Sequence, residues 1–424
     1  MSACGRSEPT ASEIAFDSAH SVALDGLIPQ GRIVAGPFSL FGIRGEIEAQ
    51  LRFAVGQLNG LHAAPDLQGL EISLLGSRRR LDGRTEVSYA ARFVVSWPRE
   101  SAFPDRVTLV LPTAGDWTTQ LAFLAKYGDE SGPANCLAPG AHDVSIRNFW
   151  YHYRPESDAC PLKEATSAQA DLVVRFPLTL ARSARNTAGK APEYDKVWED
   201  GALLVTAVFG KDKAGSTDDW DAGVAAYVEL HDSLVARYGP PSATNLAVGE
   251  QPSAARDDVR LVFPTAAGPL DVHIYLIESL GRVDAEFRSK YGSRTRRSDL
   301  VAYSGHSDLG ANMQRLARLG SVVAGQYQVF FVNGCDTFAY IDRALHDARQ
   351  QANPAAGPDK YLDVISNAMP AYFSENADAI LAVVDGLVER KKTYREILEG
   401  FPADQRAAVT GEEDNRWPLP FDGP

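Results

Sequence analysis

Methionine, histidine and cysteine are scarce in this chain, and each scarcity narrows what it can be. The 424 residues include 3 Met, 8 His and 4 Cys. The histidines are scattered, and no His/Cys/Asp cluster has metal-ligand spacing, so no metal or other cofactor is expected. Basic residues are outnumbered, 42 Lys and Arg against 55 Asp and Glu, for a net charge of −13. A surface of that sign repels phosphate backbones, which excludes a nucleic-acid partner and suits basic substrates or plain solubility. No apolar run approaches the ~18 residues that a membrane span needs.

Hydrophobic residues make up 45% of the chain and charged residues 23%, which is enough apolar material for buried cores. At ~100–200 residues per domain, the length points to two or three domains. The start, Met1-Ser2-Ala3-Cys4-Gly5, places small residues before a cysteine and a polar stretch. That pattern resembles the cleavage box of a bacterial lipoprotein, although no apolar segment precedes it. It implies lipid on Cys4, a membrane tether, and a periplasmic or cell-surface location. The alternative is an exposed thiol in a cytoplasmic protein. Cys136 and Cys160 are 24 residues apart, and a disulfide between them would suit an oxidising compartment. The alternative is a pair of buried thiols. Cys335 is left over, and a leftover cysteine is a candidate reactive thiol.

Three segments emerge along the chain. Residues 1–36 read as a leader or linker. Residues 37–195 read as an α+β domain with an antiparallel sheet. Its signals are a helical spacing over Gly45–Leu58, a strand over Leu70–Leu75, and an Asp82-Gly83 turn into the strand Val87–Trp97. Another strand, Val107–Leu111, follows, and the cluster Phe149–Tyr153 reads as packing beneath a loop. Residues 196–424 alternate strands and helices, which implies an α/β domain with a mostly parallel sheet flanked by helices. The run Leu203–Phe209 is apolar but for Thr206, as in a strand buried on both faces. The acidic loop Asp212–Asp221 follows it, either solvated surface or a contact for a basic substrate side chain. Thr393 and Glu396 have the spacing of a capping box.

Two strand ends carry the chemistry. Leu300–Tyr303 leads into Ser304-Gly305-His306-Ser307, and Val329–Val332 leads into Asn333-Gly334-Cys335-Asp336. Sites in open parallel sheets form beyond the carboxyl ends of strands. The 29 residues from His306 to Cys335 leave room for one crossover helix, so the two strands are expected to be neighbours. An imidazole beside a thiol can manage the proton as the sulfur attacks a carbonyl.

An apolar strand ending in Gly-His, followed by a second ending in Gly-Cys, resembles the caspase-like cysteine peptidases, a group that includes caspases, legumains, gingipains, clostripain and separases. The resemblance covers roughly residues 200–400. It implies a caspase-like fold and a cysteine endopeptidase acting on a peptide or protein substrate, with His306 as general acid/base and Cys335 as nucleophile. The backbone N–H groups of Ser307 and Cys335 would then face the oxyanion. Ser307 stands where the family usually has glycine, and Asp308 and Asp336 flank the dyad. A carboxylate beside a thiol disfavours the thiolate, so the alternative is a non-catalytic caspase-like envelope lipoprotein that binds or scaffolds. A second alternative takes Gly305-His306-Ser307-Asp308-Leu309 as an α/β-hydrolase elbow with Ser307 as nucleophile. Leu309 stands where that turn needs a small residue.

Overall fold

The computed structural model describes residues 15–35, 42–132, 134–164, 172–340, 343–356 and 360–412. They divide into two compact units: residues 23–183, and residues 184–424 together with 1–22. No helix among the described residues is long and apolar enough to cross a membrane.

The smaller unit is built on a six-stranded sheet. The hairpin expected at Asp82-Gly83 forms, with Glu71–Arg79 antiparallel to Thr85–Pro98. Arg106–Pro112 pairs antiparallel with Val173–Arg182, which also pairs with Ser21–Ala35. The helical spacing over Gly45–Leu58 becomes two helices, Gly42–Leu51 and Phe53–Asn59. Phe149 and Tyr153 are buried and meet Phe53 edge-on, with ring centroids 5.6 and 5.4 Å away. Cys136 and Cys160 are joined in a disulfide, with Cα atoms 4.4 Å apart.

The leader reading of 1–36 gives way over its described part. Ala15–Asp17 and Ser21–Ala35 are strands. Pro29-Gln30-Gly31 interrupts the apolar residues of the second of these strands. Gly31, however, lies against the Tyr89 ring, where a Cβ would collide, so its lack of a side chain serves packing.

The larger unit holds a nine-stranded mixed sheet flanked by helices. Its strands are β1 (Ala15–Asp17), β2 (Leu203–Gly210), β3 (Ala243–Thr244), β4 (Asp258–Thr265), β5 (Gly268–Ile277), β6 (Leu300–Ser304), β7 (Gln328–Asn333), β8 (Leu362–Asn367) and β9 (Ala407–Gly411). Their spatial order is β1-β9-β8-β7-β6-β2-β5-β4-β3. Strands β8, β7, β6, β2 and β5 run parallel, and antiparallel pairs complete both edges.

Side-chain alternation gives this sheet two cores. Val205, Ala207 and Phe209 of β2 pack with helices α1 (Ala222–Tyr238) and α4 (Asn376–Glu389). Val208 of β2, Val301 and Tyr303 of β6 pack on the other face with α2 (Ala285–Thr295) and α3 (Ala311–Leu319). All eight residues of β2 are buried, which is why its sequence shows no polar alternation. With both faces covered, polar chemistry is pushed to the strand ends.

Candidate functional site

Strands β6 and β7 pair in parallel, with Ser304 opposite Asn333. His306 and Cys335 each lie two residues beyond that pair. The turns that carry them touch. Gly305 N–H donates to the Asn333 carbonyl at 3.2 Å. A Cβ added at Gly334 would stand 2.9 Å from the Gly305 oxygen and 3.4 Å from the Ser307 nitrogen. Glycine at 334 is therefore what lets the two turns approach.

The strand order also fixes where they open. From β2 the chain passes to β5 on one side, then returns through α2 to β6 on the other side. The crevice between the carboxyl ends of β2 and β6 is a topological switch point, where open α/β sheets bind ligands. His306 occupies it, with its side chain 56% exposed. Its Nε2 lies 3.0 Å from the Asp212 carbonyl oxygen and 3.4 Å from Asp212 Oδ1. A carbonyl only accepts, so the proton belongs on Nε2 and the lone pair of the neutral ring on Nδ1. Phe373 and the ring meet edge-to-face, with centroids 5.3 Å apart.

Asp212 is itself held. Asp221 caps α1 through Gly223 N–H, and its two carboxylate oxygens also accept Asp212 N–H and Lys213 N–H, each at 2.9 Å. Burial of Asp221 works against ionisation, but these backbone donors outweigh it and hold its carboxyl below the ordinary range.

The turn after His306 is tightly braced. The His306 carbonyl accepts from Tyr303 Oη at 2.9 Å and from Asn312 Nδ2 at 2.8 Å. Asp308, Leu309 and Gly310 follow with φ of 48°, 50° and 94°, three left-handed residues in a row. Two of them carry side chains, and such a conformation persists only where surrounding contacts enforce it. Arg315 bonds Asp308 at 2.9 Å, and Gly310 N–H returns to the Ser307 carbonyl at 3.0 Å.

Cys335 is a free, partly buried thiol. Its Sγ faces the Ala371 carbonyl at 3.7 Å. Burial, and after it the charge of Asp336, push the thiol above its ordinary pKa. Ser307 is buried, at 6% exposure. Among the described residues, the backbone N–H of Ser307 donates to no protein acceptor, while that of Cys335 is turned to its own sulfur. Cys4 lies outside the described residues, and Cys136 and Cys160 belong to the smaller unit.

Sequence reasoning missed a buried polar platform beneath the two turns. Asn333 Nδ2 donates to Ser304 Oγ at 3.2 Å and to Asn376 Oδ1 at 2.9 Å, while its Oδ1 accepts from Asn367 Nδ2 at 2.6 Å. Thr337 Oγ1 bridges the Val332 carbonyl and Asn367 N–H, at 2.7 and 2.9 Å. These side chains are all at most 2% exposed, and they tie the ends of β6, β7 and β8 to the start of α4. The available signal was a Ser or Asn closing each apolar strand. For Asp212 the signal was the acidic loop after β2. Phe373 and Ala371 gave none.

In comparisons with known proteins, no family model and no curated protein matches this chain.

Proposed function

We propose that this chain is a cysteine endopeptidase of the caspase-like group, hydrolysing peptide bonds through a His306/Cys335 dyad. The observation that carries the reading is the shared offset of the two residues. Each stands two positions past a register pair on adjacent parallel strands, beside a switch-point crevice. The turns that carry the histidine and the thiol touch there, with the Ser307 backbone N–H beside Gly334.

In this reading the Cys335 thiol passes its proton to His306 Nδ1 as sulfur bonds to the substrate carbonyl carbon. The N–H groups of Ser307 and Cys335 receive the oxyanion. The imidazolium returns the proton to the departing amine, leaving a thioester. Water, deprotonated by the same ring, releases the acid and restores the thiol. Asp212 holds Nε2–H, so that Nδ1 carries the lone pair whenever the ring is neutral. The raised thiol pKa fits a dyad that engages only once substrate displaces the Ala371 contact. Free enzymes often hold catalytic hydrogen bonds loosely.

One observation favours a second reading, a non-catalytic scaffold. Sγ is turned to Ala371 and Nε2 to Asp212, so neither group is committed to the other. The hydrolase reading has less support, because Ser307 is buried while His306 projects into the crevice. The disulfide supports an oxidising compartment, and a lipid tether at Cys4 remains part of the proposal.

The test is labelling with peptidyl acyloxymethyl ketones carrying Arg, Lys, Asp or Asn next to the warhead, alongside cleavage of the matching fluorogenic peptides. The expected result is a single adduct at Cys335, lost in Cys335→Ala, with His306→Ala still folded but inactive. A wild-type chain that neither labels nor cleaves would establish the scaffold reading.

A further inference from the structure

Helix α1 carries a groove of about 580 Å³ on its outer side. Ala225, Val228, Ser233 and Ala236 form its floor. With Glu229 and Asp232 they recur every three or four residues, so they make one stripe of the helix. The core-facing stripe is a different one, Val224, Tyr227, Leu230 and Leu234, all fully buried. The floor is shallow because its side chains are small.

The wall is Trp220, which is 91% exposed. An indole is among the costliest side chains to leave in water and among the commonest anchors in protein interfaces. It is held out by its neighbours. The Trp220 backbone N–H donates to Asp218 Oδ1 at 2.9 Å, and Asp219 Oδ1 accepts the Ala254 backbone N–H at 2.7 Å. The ring therefore stands on a pinned loop.

The rim has one sign. Asp219, Glu229 and Asp232 border the groove, and no Lys or Arg lines it. Glu229 forms no ion pair among the described residues. Partial burial, and then the charge of Asp378, push its carboxyl above the ordinary range. A cation placed there would relieve that repulsion.

We propose that this groove docks a basic polypeptide segment, which lays an apolar side chain against Trp220 and sets Lys or Arg beside Glu229 and Asp232. From Ala225 to Ala236 the stripe runs ~16 Å, about three helical turns, which matches a helical segment laid in a groove. Docking needs neither His306 nor Cys335, so it stands or falls separately from the peptidase reading.

The test uses the full chain as Cys335→Ala, so that no probe is cleaved. Fluorescence anisotropy follows an amphipathic Lys/Leu peptide of about 15 residues and its Glu/Leu counterpart. The Lys/Leu peptide is expected to bind saturably at one site, and the Glu/Leu peptide at least about tenfold more weakly. Trp220→Ala is expected to weaken the Lys/Leu complex at least about fivefold, and Glu229→Gln with Asp232→Asn to weaken it and flatten its salt dependence. These side chains are exposed, so unchanged unfolding midpoints will show that the variants fold. Equal binding of both peptides, or parent-like binding by the variants, would overturn the proposal. So would a concentration-dependent dimer that Trp220→Ala dissolves, since the occupant would then be a second copy of the chain.

Discussion

Asp299 gives the sharpest quantitative test of how the large sheet is built. It immediately precedes β6 at the amino edge, the opposite edge from His306. Its backbone N–H donates to the Leu204 carbonyl, and its Oδ2 accepts Leu204 N–H at 2.8 Å. At 7% exposure it is cut off from water. Burial dominates its titration and raises the carboxyl from 3.8 to about 8, with Asp200 and Glu199 adding to the shift while the Leu204 N–H opposes it. At neutral pH the folded chain therefore holds a proton that the unfolded chain releases.

Between the unfolded and folded pKa values the native state binds one more proton, so stability falls as pH rises. The contribution is complete below about 4 and is lost as pH climbs to about 8, at ~1.4 kcal/mol per unit. Asp299→Asn copies the neutral form without the titration. Between about pH 5 and about pH 8, wild type should lose about 3–4 kcal/mol relative to Asp299→Asn. Urea unfolding of both chains across that range measures it, and every other titrating group cancels in the difference. A gap that stays constant with pH would mean that Asp299 is ionised in the fold, and the reasoning would fail. Peptide cleavage by the variant should be unchanged, because the site lies at the other edge.

Three further outcomes are expected. Gly334→Ala drives a Cβ to 2.9 Å from the Gly305 oxygen, so it should cost about 1–3 kcal/mol in urea unfolding and slow probe labelling of Cys335; parent-like values for both would contradict the contact between the turns. Asp336→Asn keeps a residue type that tolerates the left-handed φ of 53° and removes one of the two causes that raise the thiol, so the pH profile of Cys335 alkylation should move to lower pH; an unmoved profile would mean that burial alone sets it. Asn333→Ala strands the amide of Asn367 and the side-chain oxygen of Asn376, which should cost about 3 kcal/mol; a loss below about 1 kcal/mol would show that the platform is dispensable.

The sheet was legible where strands are buried on both faces. Leu203–Phe209, Leu300–Tyr303 and Val329–Val332 are apolar runs, and they form three adjacent parallel strands. The order of His306 and Cys335 along the chain was enough to bring their turns together, because successive strands joined by one helix tend to be neighbours. Strand β8 was not legible. All six of its residues are buried, yet Asp363 interrupts the apolar pattern. That carboxylate is matched from far away, by Lys190 at 2.7 Å and by the hydroxyls of Tyr327 and Tyr394 at 2.6 and 2.9 Å. No local window contains that compensation. The same holds for the second layer of the site. Asp212 reaches His306 from 94 residues away, and Phe373 arrives from the loop beyond β8. Sequence pattern records what a residue needs from its own element, and these contacts are made between elements.

The strain near His306 bears on whether the site is more than a place where strands end. Strand β6 buries Leu300–Ser304 between two cores, so the first positions at which a titrating side chain escapes burial lie beyond Ser304. A sheet that needed only to turn there would favour glycines, which adopt left-handed φ freely. Here Asp308 and Leu309 adopt it instead, at roughly 1–3 kcal/mol each. The contacts that enforce this turn also orient the histidine. Tyr303 and Asn312 grip the His306 carbonyl, and Arg315 bonds both Asp308 and Asn312 Oδ1, at 2.9 and 3.0 Å. Relaxing the turn would therefore release His306 from the crevice where Asp212 meets it. Stability alone gives no reason to hold a half-exposed imidazole against a carbonyl with strained backbone. A demand on the position of that ring does, and it falls on a residue that stands, like Cys335, two positions past the Ser304–Asn333 pair.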